Sequence, residues 1–280
     1  MTTVPQVTLS SYCENSIPVI GMGTSAYPQV DLETTKSAII EAIKSGYRHF
    51  DTAFIYGSEK PLGEAIAEAL KLGLIKSRDE VFVTTKLWCS FADPDQVVPA
   101  CKMSIQNLQL DYVDMYLAHW PFKLTEMIPK KPVERDTIRP LDMKGVWEGM
   151  EECQKLGLTK GIGVSNFTCK KLEEVLSVTT IPPVVNQVEL NPVWQQKKLI
   201  EFCKAKGIHI TAYSPLGANN TQWGDNRVMN SDVLGEIAKA RRKTNAQELQ
   251  KISQIPQRKG VTLASLLGPV DIALEFDSEV

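Results

Sequence analysis

Short apolar runs alternate along the chain with longer amphipathic stretches, and their order predicts repeated βα units. Runs rich in apolar and β-branched residues predict strands near 19–22, 47–51, 81–86, 113–118, 161–165, 184–188 and 208–213. Between them the apolar spacing becomes that of a helix, for example over 33–45, 59–72 and 143–156. In the second of these, Leu62, Ile66, Ala69 and Leu70 share one face. Ahead of the first barrel-type strand, 7–10 and 16–18 would pair as a small hairpin. The Pro-rich, charged stretch 122–141 follows neither period and is long for a βα connection, which predicts a functional loop. No linker-like composition divides the chain, so 1–280 reads as a single domain.

Composition narrows the picture. A parallel α/β barrel typically uses about 250 residues, and this chain has 280 with 43% hydrophobic content, enough for a sizeable core. A net charge of −2 gives no general attraction to nucleic acid or to an anionic membrane. The basic cluster Lys239, Arg241, Arg242 and Lys243 falls at an expected helix C-terminus, where cations suit the macrodipole. The six cysteines, at 13, 89, 101, 153, 169 and 203, form no C-x-x-C pair and have no accompanying His spacing, so no metal is expected. No signal peptide opens the chain and no apolar run approaches the roughly 20 residues of a membrane span, so the expectation is a cytoplasmic protein in a reducing setting. Cys89, beside Trp88, reads as a passive wall of the site below.

Four polar residues carry the chemistry. Asp51, Lys86 and His119 each end or follow an apolar strand-like run, and Tyr56 lies in the loop after the first of these. A parallel barrel gathers such strand ends at one rim. A phenol, an ammonium, a carboxylate and an imidazole form a coherent set for reducing a carbonyl. The phenol would protonate the oxygen that becomes an alkoxide, although its free pKa of about 10 makes it a weak acid at neutrality. Lys86 would lower that pKa, Asp51 would hold the ammonium, and His119 would hydrogen-bond the substrate oxygen. Taken singly, each residue also fits an ordinary role: a satisfied histidine, a lysine reaching water, an Asp-Thr turn before a helix. Their joint placement favours a site.

The segments that carry these residues also carry a family likeness. Gly46 through Glu59, Thr84-Thr85-Lys86-Leu87-Trp88, Asp114-Met115-Tyr116-Leu117-Ala118-His119-Trp120-Pro121 and Gly161-Ile162-Gly163-Val164-Ser165-Asn166-Phe167 resemble the signature segments of the aldo-keto reductases. The likeness runs from about Val7 to about Gln247, resumes near Glu248, and is similar to a plant branch of that family. It implies a (β/α)8 barrel whose floor the N-terminal hairpin closes, a monomer, NADPH as cofactor, and an aldehyde or ketone as substrate. Several loop segments, among them Gly23-Thr24-Ser25-Ala26-Tyr27-Pro28 and Pro132-Val133-Glu134-Arg135-Asp136, imply D-galacturonate reduced to L-galactonate. Polyketide and alkaloid carbonyls are the alternatives.

By the same resemblance, Asp51, Ser165, Asn166 and Gln187 would serve the nicotinamide end of the cofactor, with Tyr213 stacked on the ring. Ser214 and Leu216, with backbone near Gly217, would line the pyrophosphate, and Gly23 and Thr24 would lie near the ribose. Outside the resemblance, Ser165-Asn166 would read as a helix cap, Gln187 as a strand-end amide and Tyr213 as a core aromatic. No G-x-G-x-x-G fingerprint is present, which removes support from a doubly wound fold. Tyr27, Trp88, His119, Trp120, Phe122 and Trp223 are the substrate-pocket candidates. Lys123 or Arg227 would pair a uronate carboxylate.

One departure from the family pattern stands out. Asn245-Ala246-Gln247 runs straight into Glu248-Leu249-Gln250-Lys251-Ile252, where relatives carry the eighth strand and its adjoining helical segments. Roughly 35–40 residues are missing, enough for one βα unit. In the family that unit also grips the adenosine 2′-phosphate. The expectation is therefore a barrel lacking its eighth strand, with the run 261–267 available to fill the gap. The contrasting expectation is a truncated isoform without catalysis.

Overall fold

The computed structural model describes residues 4–245, except positions 14, 27, 128–132, 219–220, 222–223, 225 and 243. The run 261–267 and the junction near 247 lie outside the described residues.

Strands and helices alternate from residue 22 onward: β1 (Met22–Gly23), α1 (Leu32–Lys44), β2 (His49–Asp51), α2 (Glu59–Lys71), β3 (Phe82–Leu87), α3 (Val97–Leu108) and β4 (Val113–Ala118). They continue as α4 (Met143–Lys155), β5 (Thr159–Ser165), α5 (Cys169–Val178), β6 (Val185–Glu189), α6 (Lys197–Lys206), β7 (His209–Tyr213) and α7 (Asp232–Arg241). The strands form one sheet in chain order, and every pair is parallel. Four of these helices begin at a side-chain cap. Asp31 accepts from the Thr34 N–H at 2.9 Å, Asp142 from Gly145 at 3.0 Å, and Thr168 from Lys171 at 3.3 Å. The basic residues Lys239 and Arg241 do occupy the last turn of α7.

Packing follows from the two periods. Every residue of β3 and β4 is buried, as expected for parallel strands covered on both faces. Leu62, Ala65, Ile66 and Ala69 turn α2 toward that sheet and join Ile39, Val83, Tyr116, Trp147 and Ile162 in the outer core. Where α2 meets α3, only a glycine fits, since a Cβ on Gly63 would stand 1.9 Å from the Leu108 carbonyl oxygen. Inside the sheet, Phe82, Met115, Leu117 and Val185 pack onto Leu9, Cys13 and Ile17. Those last residues belong to or flank the hairpin of Gln6–Thr8 with Ser16–Pro18, which floors the sheet as expected.

Two features differ from the sequence expectation. The first strand is only two residues long, and Val19 and Ile20 before it are 52% and 51% exposed. The stretch expected to be a long loop contains an antiparallel hairpin, Phe122–Leu124 with Ile138–Pro140. Its arms are too short to show a period, yet Phe122, Leu124 and Ile138 are all buried.

Among the described residues β1 and β7 are the edges of the sheet. The arrangement is a nearly closed, seven-stranded parallel sheet, as a (β/α)8 barrel lacking one strand would give. β7 has no fully buried residue, in contrast to β4.

Candidate active site

The C-terminal ends of the strands bring the expected residues to one rim. Asp51 ends β2, Lys86 is next to last in β3, and His119 follows β4. Tyr56 closes a short 3₁₀ turn, Phe54–Tyr56, which Gly57 terminates at φ 68°, a left-handed conformation that glycine adopts without strain.

Lys86 is wholly buried. Its Nζ donates to Asp51 Oδ1 at 2.6 Å and to the Thr52 carbonyl at 2.9 Å, and it stands 4.9 Å from the centre of the Tyr56 ring. The other Asp51 oxygen accepts from Gln187 Nε2 at 2.7 Å. Burial alone would drive the ammonium toward neutrality, but Asp51 and then Tyr56 outweigh it and hold its pKa above the ordinary lysine value. Lys86 is therefore a fixed positive charge.

The Tyr56 hydroxyl lies 3.5 Å from His119 Nε2. Burial raises the phenol's pKa, and Lys86 only partly offsets that, so the net shift is upward. This corrects the expectation of a lowered value, because desolvation of the phenolate exceeds the lysine's field. His119 sits well below the ordinary histidine pKa, through burial first and Lys86 second, so its ring is neutral. Its Nδ1 is buried without a hydrogen-bond partner. The ring meets Tyr56 at 5.7 Å and Trp88 at 5.3 Å between centroids, both edge-on.

The remaining aromatic candidates divide. The Trp88 indole N–H donates to the Met127 carbonyl at 2.8 Å, tying the site to the tip of the 122–140 hairpin. Trp120 and Phe122 are buried with Cys89, Leu124 and Ile138 and pack 5.7 Å apart. Tyr27 and Trp223 lie outside the described residues. Burial pushes the Cys89 thiol far above its usual pKa, in keeping with a passive wall. Lys123 alternates with buried Phe122 and Leu124 and is held by Asp93 at 2.6 Å, so it is already paired. Arg227 is exposed.

A second polar group lies beside the first. Asn166, at φ 65°, donates to the His119 carbonyl at 3.0 Å and to Ser165 Oγ at 3.1 Å, while its Oδ1 accepts from the Tyr213 hydroxyl at 2.8 Å. Ser165 Oγ donates to the Gln187 carbonyl at 2.9 Å. Ser214 has φ 49° and its carbonyl accepts from the Gly217 N–H at 2.9 Å, and Leu216 is half-buried. At the opposite edge Gly23 is exposed, whereas Thr24 is buried and bonds the Asp51 carbonyl through both its N–H and its hydroxyl. Sequence reasoning missed the Gln187–Asp51 bond, the Thr52 carbonyl and Met127. The first joins residues 136 apart in the chain, and the others act through backbone atoms. Among the described residues, no three or more His, Cys, Asp or Glu side chains gather as a metal site, and no helix is long and apolar enough to cross a membrane.

The chain is similar to known proteins in sequence and in fold. A sequence model described as the Aldo/keto reductase family matches residues 19–267. The chain is 58% identical, over 319 aligned positions covering all of both chains, to D-galacturonate reductase of Fragaria ananassa. It is 51% identical over 298 positions to the (1S)-1,7-diacetoxy-luvungin A aldo-keto reductase of Citrus sinensis, covering 92% of each. Among solved structures, a Bombyx mori aldo-keto reductase in complex with NADP aligns with TM-score 0.79 and 33% identity, over 98% of this chain and 89% of that one.

Proposed function

From the premise that the chain belongs to the aldo/keto reductase family, we propose that it is an NADPH-dependent carbonyl reductase in which Tyr56 is the general acid. The observation that carries this reading is the buried Lys86–Asp51 pair beneath Tyr56, with neutral His119 beside the phenol. The tetrad does what carbonyl reduction needs: a proton held at a phenol, a fixed cation to stabilise the phenolate left behind, and a neutral ring to orient the substrate oxygen.

The donor set fits a nicotinamide carboxamide, which both donates and accepts hydrogen bonds. Ser165, Asn166 and Gln187 stand together at the ends of β5 and β6, and Gln187 Nε2 is directed at Asp51 rather than at Ser165 or Asn166. Tyr213 would flank the ring, with Ser214, Leu216, Gly23 and Thr24 toward the sugar and pyrophosphate. When bound, NADPH supplies the hydride. Tyr56 gives its hydroxyl proton to the substrate oxygen, Lys86 holds the resulting phenolate, and Asp51 with Gln187 keeps Lys86 in place.

D-galacturonate, reduced to L-galactonate, is the proposed substrate, supported by the end-to-end identity with the Fragaria protein. Lys123, which Asp93 also holds, and Arg227 are the two cations proposed for its carboxylate. Trp88, held beside His119, would wall the pocket. We assign the chain as a cytoplasmic monomer, which light scattering and localisation of a tagged chain would check.

The test is a titration with NADPH followed by tryptophan quenching, together with a thermal melt, then turnover of galacturonate against a Tyr56→Phe control. Saturable quenching and turnover lost in the variant support the proposal. Turnover of polyketide or alkaloid carbonyls in place of galacturonate would reassign the substrate. Absence of both binding and a cooperative melt would favour the truncated, non-catalytic isoform and overturn the reductase reading.

A further inference from the structure

Ser58 occupies the N-cap position of α2, yet its side chain makes no cap hydrogen bond. Serine at that position ordinarily accepts from the N–H groups of the first turn. Here the hydroxyl is buried and lies 2.7 Å from Thr24 Oγ1 and 2.9 Å from Thr52 Oγ1. Thr24 Oγ1 in turn donates to the Asp51 carbonyl at 3.0 Å. One direction satisfies all of these bonds: Thr52 donates to Ser58, Ser58 to Thr24, and Thr24 to Asp51. The chain of hydroxyls ties the Asp51 carbonyl to the Thr52 side chain, and these two residues supply both acceptors of Lys86, Asp51 through its Oδ1 and Thr52 through its carbonyl.

We propose that Ser58 is a positioning residue for the proton donor: through Thr24 and Thr52 it holds the cradle of Lys86, and through Lys86 it sets how readily Tyr56 gives up its proton. The inference rests on the reading of Tyr56 as the acid. The charged and titratable groups facing Tyr56 are Lys86, Asp51 and His119. Lys86 favours the phenolate, so loosening its cradle moves the Tyr56 titration upward.

The experiment compares the unaltered chain with Ser58→Ala, Ser58→Thr and Tyr56→Phe. Tyrosinate absorbance is read within a second of a jump to each pH between 8 and 12, with no cofactor present. The component missing from Tyr56→Phe belongs to Tyr56. In Ser58→Ala it should move up by about half a pH unit or more, a threefold change in ionisation, and in Ser58→Thr it should return. With substrate, kcat should fall about tenfold with KM nearly unchanged. An unmoved Tyr56 titration in Ser58→Ala, whatever its melting temperature, would make Ser58 a merely structural residue and overturn the proposal. Because that readout needs neither cofactor nor turnover, a chain inactive toward carbonyls would sink the reductase reading and leave this result standing by itself.

Discussion

Replacing Lys86 with Met should separate the energetic from the chemical role of the buried ion pair. The lysine is fully enclosed, and its ammonium has two acceptors, at 2.6 Å on Asp51 and 2.9 Å on the Thr52 carbonyl. Removing one member of a buried pair typically costs about 3–5 kcal/mol, because the other charge is left uncompensated. Two features reduce that figure here: Asp51 keeps its 2.7 Å bond from Gln187, and its side chain is 17% exposed. The expected loss is therefore about 2–4 kcal/mol, out of a total stability of about 5–15 kcal/mol. Urea unfolding at pH 7.5 measures it. In the variant, the Asp51 carboxylate is left without its cation. Adding Asp51→Asn should recover much of the loss. Turnover should fall about 10²–10⁴-fold, because Tyr56 is then left to burial and the Asp51 charge, both of which raise its pKa. A deficit below about 1 kcal/mol that is unaffected by Asp51→Asn would refute the argument, since charges in contact must couple.

The three histidines, His49, His119 and His209, are all held below the usual histidine pKa by burial. The unfolded chain therefore binds protons first, and stability should fall as pH drops below about 6.5, with chemical denaturation at pH 7, 6 and 5.5 giving the slope and His49→Gln flattening it. Gly63→Ala should destabilise by about 3 kcal/mol or prevent folding, because the added methyl would meet the Leu108 backbone at 1.9 Å, and an unchanged melting temperature would contradict that contact. At pH 8, a thiol reagent should label the folded chain at no more than one site quickly, namely Cys169. The other five cysteines are buried, with burial raising Cys89 far above its usual value and Cys203 to about 11. Rapid labelling of several cysteines would mean that the sheet opens readily.

What the sequence could reveal follows from the range over which each signal acts. Helix positions were local: 33–45 and 59–72 were expected, and α1 and α2 run Leu32–Lys44 and Glu59–Lys71, because side-chain spacing and caps are written within a few residues. The tetrad was legible because each member follows its own apolar run. The sign of the Tyr56 shift was not, since it depends on how much water the fold removes from the phenol against how closely Lys86 approaches, and neither is a local property. The bond between Gln187 and Asp51 was hidden for the same reason: it crosses the inside of the sheet between β6 and β2.

Closure of the sheet is the most distant property of all. β4 is covered on both faces and paired on both sides, whereas β1 has two residues in the ladder and β7 keeps every residue at least partly exposed. Val19 and Ile20, about half exposed beside β1, are the kind of residues that a neighbouring strand would cover. Among the described residues no strand pairs with these two edges, and an edge of backbone donors and acceptors beside such side chains is a place where a sheet opens or recruits another strand. Stability should therefore be lowest along the β1 and β7 edges. Hydrogen exchange should show it, with the amides of Met22 and of His209–Tyr213 exchanging well before those of Val113–Ala118, because the central strand can open only when the whole sheet does. Equal protection of β7 and β4 would mean that the seam is covered in solution, and the exposed pair at Val19 and Ile20 would then mark where the cover sits.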